Sequence, residues 1–66
     1  MSKKLLDDID EQILKLLFEG KTAKEIAPLV FRSHDNVQYR LSQMRGKFDC
    51  KSNVQLAVKL KDMFQN

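Results

Sequence analysis

Between residues 34 and 47 the chain carries side chains suited to hydrogen bonding with flat polar edges. If this segment is a helix, Asp35, Tyr39, Ser42 and Gly46 fall on one face, with Asn36, Gln38 and Gln43 beside them. A Gln amide can bond adenine through two hydrogen bonds, and a Ser hydroxyl can serve several bases. A Tyr can meet a thymine methyl or a phosphate, and an Asp can accept from a cytosine amino group. Arg40, Arg45 and Lys47 lie on the flanks, where phosphates would run beside such a face. A merely solvated helix more often alternates Glu and Lys, although any amphipathic helix has some polar outer face.

Catalytic chemistry finds little to work with. His34 is the single His and has no Cys or second His beside it to build a metal site, so neither a metal nor another cofactor is expected. Neither a Gly-rich phosphate loop nor a nucleophile motif occurs. The acids Asp7, Asp8, Asp10 and Glu11 are explained by capping and the helix dipole. We therefore do not expect an enzyme. One Cys excludes an internal disulfide and fits a reducing compartment, which points to a cytoplasmic location. Apolar runs such as Leu16–Phe18 are only three residues long, too short for a membrane span, and the N-terminus has no secretory h-region.

The elements that must hold the polar face can be read from periodicity and caps, and they predict a single domain over 1–66 that is all-α. A first helix over about 8–19 starts at Asp7 or Asp8 and carries Ile9, Ile13, Leu16 and Leu17, with Leu14 and Phe18 widening the stripe. Gly20 suits the left-handed position after it. Thr22-Ala-Lys-Glu25 is a capping box for a second helix over about 23–30, whose apolar face is Ile26, Ala27, Leu29 and Val30. Pro28 lies past its first turn and predicts a short or kinked helix. Ser33 caps a third helix over 34–47 with an inward stripe of Val37, Leu41, Met44 and Phe48. Ser52 or Asn53 caps a fourth over about 53–64. That helix has two apolar sides: Leu56, Leu60, Met63 and Phe64 for the core, and Val54, Ala57 and Val58 for a further contact such as a second copy.

Charge follows the same division. Residues 1–20 carry three Lys against five acids, a net −2, whereas residues 21–61 carry nine bases against three acids, a net +6. A basic middle behind an acidic start fits a polyanionic partner. Ala27 and Val37 stand ten residues apart across a short connection. The small Ala allows close approach and the branched Val fills the angle, which is the spacing of a helix-turn-helix.

Lys21-Thr-Ala-Lys-Glu-Ile-Ala27, then Val30-Phe31-Arg32-Ser33, then Asn36-Val37-x-x-Arg40-Leu41 resembles the LuxR/GerE-type DNA-binding domain. The resemblance extends from Leu6 to about Leu60 and includes Leu14-x-Leu-Leu-x-x-Gly20 and the Lys47-Phe-Asp-Cys-Lys-Ser segment. It implies a four-helix bundle with a central helix-turn-helix, acting as a bacterial transcriptional regulator. The third helix would enter the major groove of double-stranded DNA. A homodimer through the fourth helix would sit on a pseudo-palindromic site, with RNA polymerase a further candidate partner. By position, the resemblance puts base readout on Gln38, Tyr39 and Ser42, to which Asp35 is added. It puts phosphate contact on Lys24, Ser33, Asn36 and Arg40, which Arg32, Arg45, Lys47 and Lys51 extend. The dimer face falls on Val54, Ala57, Val58 and Lys61. Cys50 takes a position usually held by a core aliphatic and reads as a small buried hydrophobe.

Several positions depart from the pattern. Asp35 stands where Lys or a small polar residue is common, Asn36 replaces the usual Thr, Arg40 the frequent His, and Gly46 a long polar residue. Asp49 stands where Gly is common, and Asp7-Asp-Ile-Asp-Glu11 replaces a Thr-x-Arg-Glu start. The opening Leu6-Asp-Asp-Ile-Asp-Glu-Gln-Ile-Leu also resembles AsnC-type winged helices, but residues 49–66 read as a helix and leave no strands for a wing. Region four of sigma factors shares the motif with a more basic reading helix. The alternative of a different class is a helix-turn-helix interaction module that binds another regulator or RNA polymerase. The Met1 start and the lack of a leading linker lean towards a stand-alone regulator.

Overall fold

The computed structural model describes residues 7–65, which form four helices in the order α1 Asp8–Phe18, α2 Ala23–Leu29, α3 His34–Lys47 and α4 Asn53–Gln65. The starts follow the expected side-chain chemistry. The Asp7 carboxylate accepts from the Asp10 backbone N–H at the head of α1. Thr22 and Glu25 complete the capping box of α2 in both directions. The Ser33 hydroxyl accepts from the Asn36 N–H. At α4 the Ser52 hydroxyl accepts from the Gln55 N–H, while the Gln55 side chain accepts from the backbone of Lys51. Each of these satisfies a donor the helix leaves open.

The first three helices end alike. After α1 the Gly20 N–H donates to Leu17 and the Lys21 N–H to Leu16. After α2 Phe31 donates to Pro28 and Arg32 to Ala27, and after α3 Asp49 donates to Gly46 and Cys50 to Arg45. This paired pattern is the Schellman motif, which requires a left-handed residue at its turn. Gly20 fills it at φ +92°, but Phe31 at φ 58° and Asp49 at φ 56° fill it without the freedom of glycine. Pro28 deprives the Lys24 carbonyl of its helical donor, and α2 stops one residue later, as a short helix.

Ile13, Leu14, Ala23, Ile26, Ala27, Val30, Val37, Leu41, Met44, Leu56 and Leu60 form one buried cluster, with Ile9, Leu16, Leu17, Phe18, Phe48 and Cys50 packed around it. No polar residue is buried among those described. Helix α3 packs against each of the other three, and α1 packs against α2 and α4. Ala27 on α2 and Val37 on α3 are both buried and the two helices pack against each other, as a helix-turn-helix requires. No helix among the described residues is long and apolar enough to cross a membrane.

Two expected core positions are corrected. Leu29 is 52 % exposed because the chain leaves the helix just beyond it, and Val30 turns inward in its place. Met63 is 47 % exposed: it sits a turn past Leu60, where α4 has run beyond the core. The side chain of Phe64, like the whole of Leu6, lies outside the described residues.

The two glycines give opposite expectations for one substitution. A Cβ at either would meet nothing within 4 Å, so only backbone conformation decides. Gly20→Ala must hold a left-handed residue and should cost about 1 kcal/mol. Gly46→Ala, inside α3, should gain about 0.5–1 kcal/mol. Thermal melts of the two variants should move in opposite directions, and movement the same way would contradict the backbone argument.

Candidate nucleic-acid interface

The inner row of α3 is fully buried at Val37, Leu41 and Met44, which fixes the helix's rotation and turns the opposite row to solvent. Asp35, Gln38, Tyr39 and Ser42 are all exposed there, with Tyr39 62 % accessible. Asp35, Gln38, Tyr39 and Ser42 border one shallow recess of about 560 Å³ together with Arg45 and Asn53. Tyr39 is also the boundary of a second recess of about 290 Å³, shared with Asn36, Arg40, Gln43 and Lys47. The four residues expected to read bases are thus brought onto one face.

The expected phosphate contacts divide into several settings. Lys24 is exposed on α2 and borders a groove that reaches His34 and Gln38 at the head of α3. Ser33 is exposed, and its hydroxyl still has a proton to donate after accepting from Asn36. Arg32 is exposed in the turn and folds back to donate to the Phe31 carbonyl at 3.2 Å. Arg45 is half-buried and donates to the Asn53 side chain, which holds it along the edge of the first recess. Lys47 is exposed at the end of α3 and Lys51 in the following loop.

Arg40 is engaged within the chain. One guanidinium nitrogen lies 3.1 Å from the carboxylate of Asp7, the N-cap of α1, and 3.1 Å from that of Asp10 in its first turn. Its Nε donates to Asn36 Oδ1 at 3.1 Å. The side chain is 24 % exposed and that of Asp10 only 15 %. The Asp10 backbone N–H holds the Asp7 carboxyl below the usual carboxylate range, with Arg40 adding to the effect. Asp10 first, and Asp7 second, raise the Arg40 pKa further above its already high ordinary value. Both shifts favour the charged pair. At the capping box the Glu25 carboxyl is likewise lowered, first by the Thr22 backbone N–H and then by its hydroxyl.

Helix α4 exposes Val54 (74 %) and Val58 (66 %), with Ala57 half-buried and Lys61 exposed alongside. Val54, Ala57 and Val58 form one wall of a mainly apolar groove of about 670 Å³. Leu17, Ala23 and Gln38 lie across it, between α4 and the head of α2. Lys59, next to Val58, donates from Nζ to the Phe48 carbonyl at 2.8 Å and so caps the C-terminus of α3 with a positive charge. Cys50 is half-buried against the core, with its Sγ 3.5 Å from the Phe48 carbonyl.

Nothing in the sequence signalled the parts played by four residues. Asn53 was legible only as a possible cap, not as the partner of Arg45. Asp7 and Asp10 carried no visible link to Arg40, which lies at least 30 positions away. Phe31 is 86 % exposed in a left-handed turn, and nothing in its type signals either property.

The search of curated proteins gave no match. The family described as bacterial regulatory proteins of the luxR family matches residues 9–60, which includes all but the first residue of α1, both helices of the turn motif and α4 through Leu60. That family's domain is a DNA-binding regulatory domain and not an enzyme. With four helices, a central helix-turn-helix and this match across most of its length, the chain belongs to the luxR family of bacterial regulatory proteins as a helix-turn-helix DNA-binding domain.

Proposed function

We propose that the domain reads duplex DNA with α3 in the major groove, and that two copies joined through α4 occupy a pseudo-palindromic site. The observation that carries this reading is the exposed row Asp35, Gln38, Tyr39 and Ser42 on the reverse of a wholly buried row. Lys24, Arg32, Ser33, Asn36, Arg40, Arg45, Lys47 and Lys51 supply affinity through phosphates, and the exposed row supplies selectivity. Val54, Ala57, Val58 and Lys61 form the dimer face. RNA polymerase is a further partner consistent with a regulator of transcription, and the reducing cytoplasm is the compartment where such a protein would work.

The test is a fluorescence-anisotropy titration against mixed-sequence duplex DNA at low and physiological salt. Binding should fall steeply as salt rises. Selection from a random library should then return a preferred site, and Gln38→Ala should alter the preference at one base pair by about 1–3 kcal/mol. An unchanged preference would remove Gln38 from the readout. The second reading is a module that binds another regulator or RNA polymerase. Asp35 favours it, because a carboxylate in the exposed row repels phosphate. Failure to bind at low salt, with binding restored by Asp35→Lys, would move the function to that class.

A further inference from the structure

Acids at the start of α1 and a base on α3 meet in space. Asp7 caps α1 and Asp10 lies in its first turn, and Arg40 stands in the middle of α3. One nitrogen of Arg40 contacts both carboxylates, so two negative charges surround one positive charge. The Nε of the same group donates to Asn36 Oδ1, one turn earlier on α3. Asn36 Oδ1 is therefore committed to Arg40, and its NH2 group is the part of the amide left to face outward. The backbone N–H of Asn36 is already held by the Ser33 hydroxyl. Its backbone donor and one acceptor site of its side chain are thus occupied, and the NH2 is the side-chain donor that remains for a ligand.

We propose that Arg40 is a positioning residue of the DNA interface and not a phosphate contact: its charge is absorbed by Asp7 and Asp10, and its Nε orients the Asn36 amide so that the NH2 donates to a phosphate. This rests on the DNA-binding reading above and revises the role of one residue within it. A cation that neutralises a phosphate adds about 0.9 to the slope of log affinity against log salt. Arg40, already neutralised, adds nothing to that slope. A neutral donor such as the Asn36 amide adds affinity without slope.

The experiment measures that slope for the wild type, Arg40→Gln, Arg40→Lys and Asn36→Ala on one duplex, with thermal melts confirming that each variant is folded. Arg40→Gln and Arg40→Lys should keep the wild-type slope and weaken binding by a few-fold to about tenfold, the range of one net hydrogen bond. In the Asn36→Ala background the same changes at Arg40 should add no further loss. A slope lower by about 0.9 in Arg40→Gln and retained in Arg40→Lys would make Arg40 a phosphate contact and overturn the proposal. A full additional loss in the Asn36→Ala background would also overturn it. If Arg40→Gln does not fold, Asp7→Asn with Asp10→Asn replaces it: releasing Arg40 should raise the slope by about 0.9, and an unchanged slope would count against the absorbed charge. A wild type that binds no DNA at low salt removes the DNA reading itself. A wild type that binds, with variants behaving as phosphate mutants, removes only this assignment.

Discussion

Leu41→Ala should leave the chain at the edge of unfolding, with a melting temperature lower by roughly 10–25 °C. Leu41 is fully buried at the middle of α3, the helix that packs against the other three. Truncating such a side chain costs about 2–5 kcal/mol, from lost transfer energy plus the cavity left behind. A 66-residue chain has only about 3–10 kcal/mol to lose. No buried polar group among the described residues and no disulfide stands in reserve. Leu41→Met serves as the volume-conserving control and should cost less than about 1.5 kcal/mol. Circular dichroism melts decide the matter: a Leu41→Ala protein melting within two or three degrees of the wild type would show that the core does not centre on α3.

The second large effect is on assembly. Val58→Glu should fold as the wild type does, because Val58 is 66 % exposed and contributes little to the core. It should nevertheless sediment as a monomer, since a carboxylate at the centre of the Val54–Ala57–Val58 face would be stripped of water on contact. The consequence for DNA is larger than for the fold. Two linked copies on two half-sites gain about 10²–10⁴ over one copy by effective concentration alone. Val58→Glu should therefore lose about that factor on a two-half-site duplex and almost nothing on a single half-site. Sedimentation of Val58→Glu identical to the wild type, or equal losses on both duplexes, would remove α4 from the interface.

The sequence was most readable where chemistry is local. Thr22 with Glu25, and Ser33 with Asn36, act over three residues, and each cap is where side-chain type alone put it. The inward rows of α1 and α3 followed from period and were legible for the same reason. Reading failed where a contact depends on how two helices cross. The Arg40 pair joins residues 30 and 33 positions apart, so no spacing rule points to it. It also failed at helix ends, where periodicity continues past the core: Leu29 and Met63 are in phase with their stripes and still face solvent. Asp49 was recognisable as a position that favours Gly, and its left-handed backbone agrees with that. Phe31 adopts the same conformation with no such hint. The exposed row of α3 was legible as a face, whereas the roles of its residues rest on the experiments above.

The bond from Lys59 to the Phe48 carbonyl has a bearing beyond the stability of α3. Lys59 follows Val58 directly, and Asn53, which holds Arg45, precedes Val54 directly. The residues that would touch a second copy are therefore chain neighbours of the residues that hold the far end of the reading helix. If a second copy docks on α4 and DNA on α3, as proposed, both would bear on this one set of contacts, and any coupling between the two events must be reciprocal. Whatever factor the first applies to the affinity of the second, the second must apply to the first. Where that coupling is favourable, occupation of one half-site would raise the population of paired chains before the other half-site is met. The response to protein concentration would in that case be steeper than that of two independent binders.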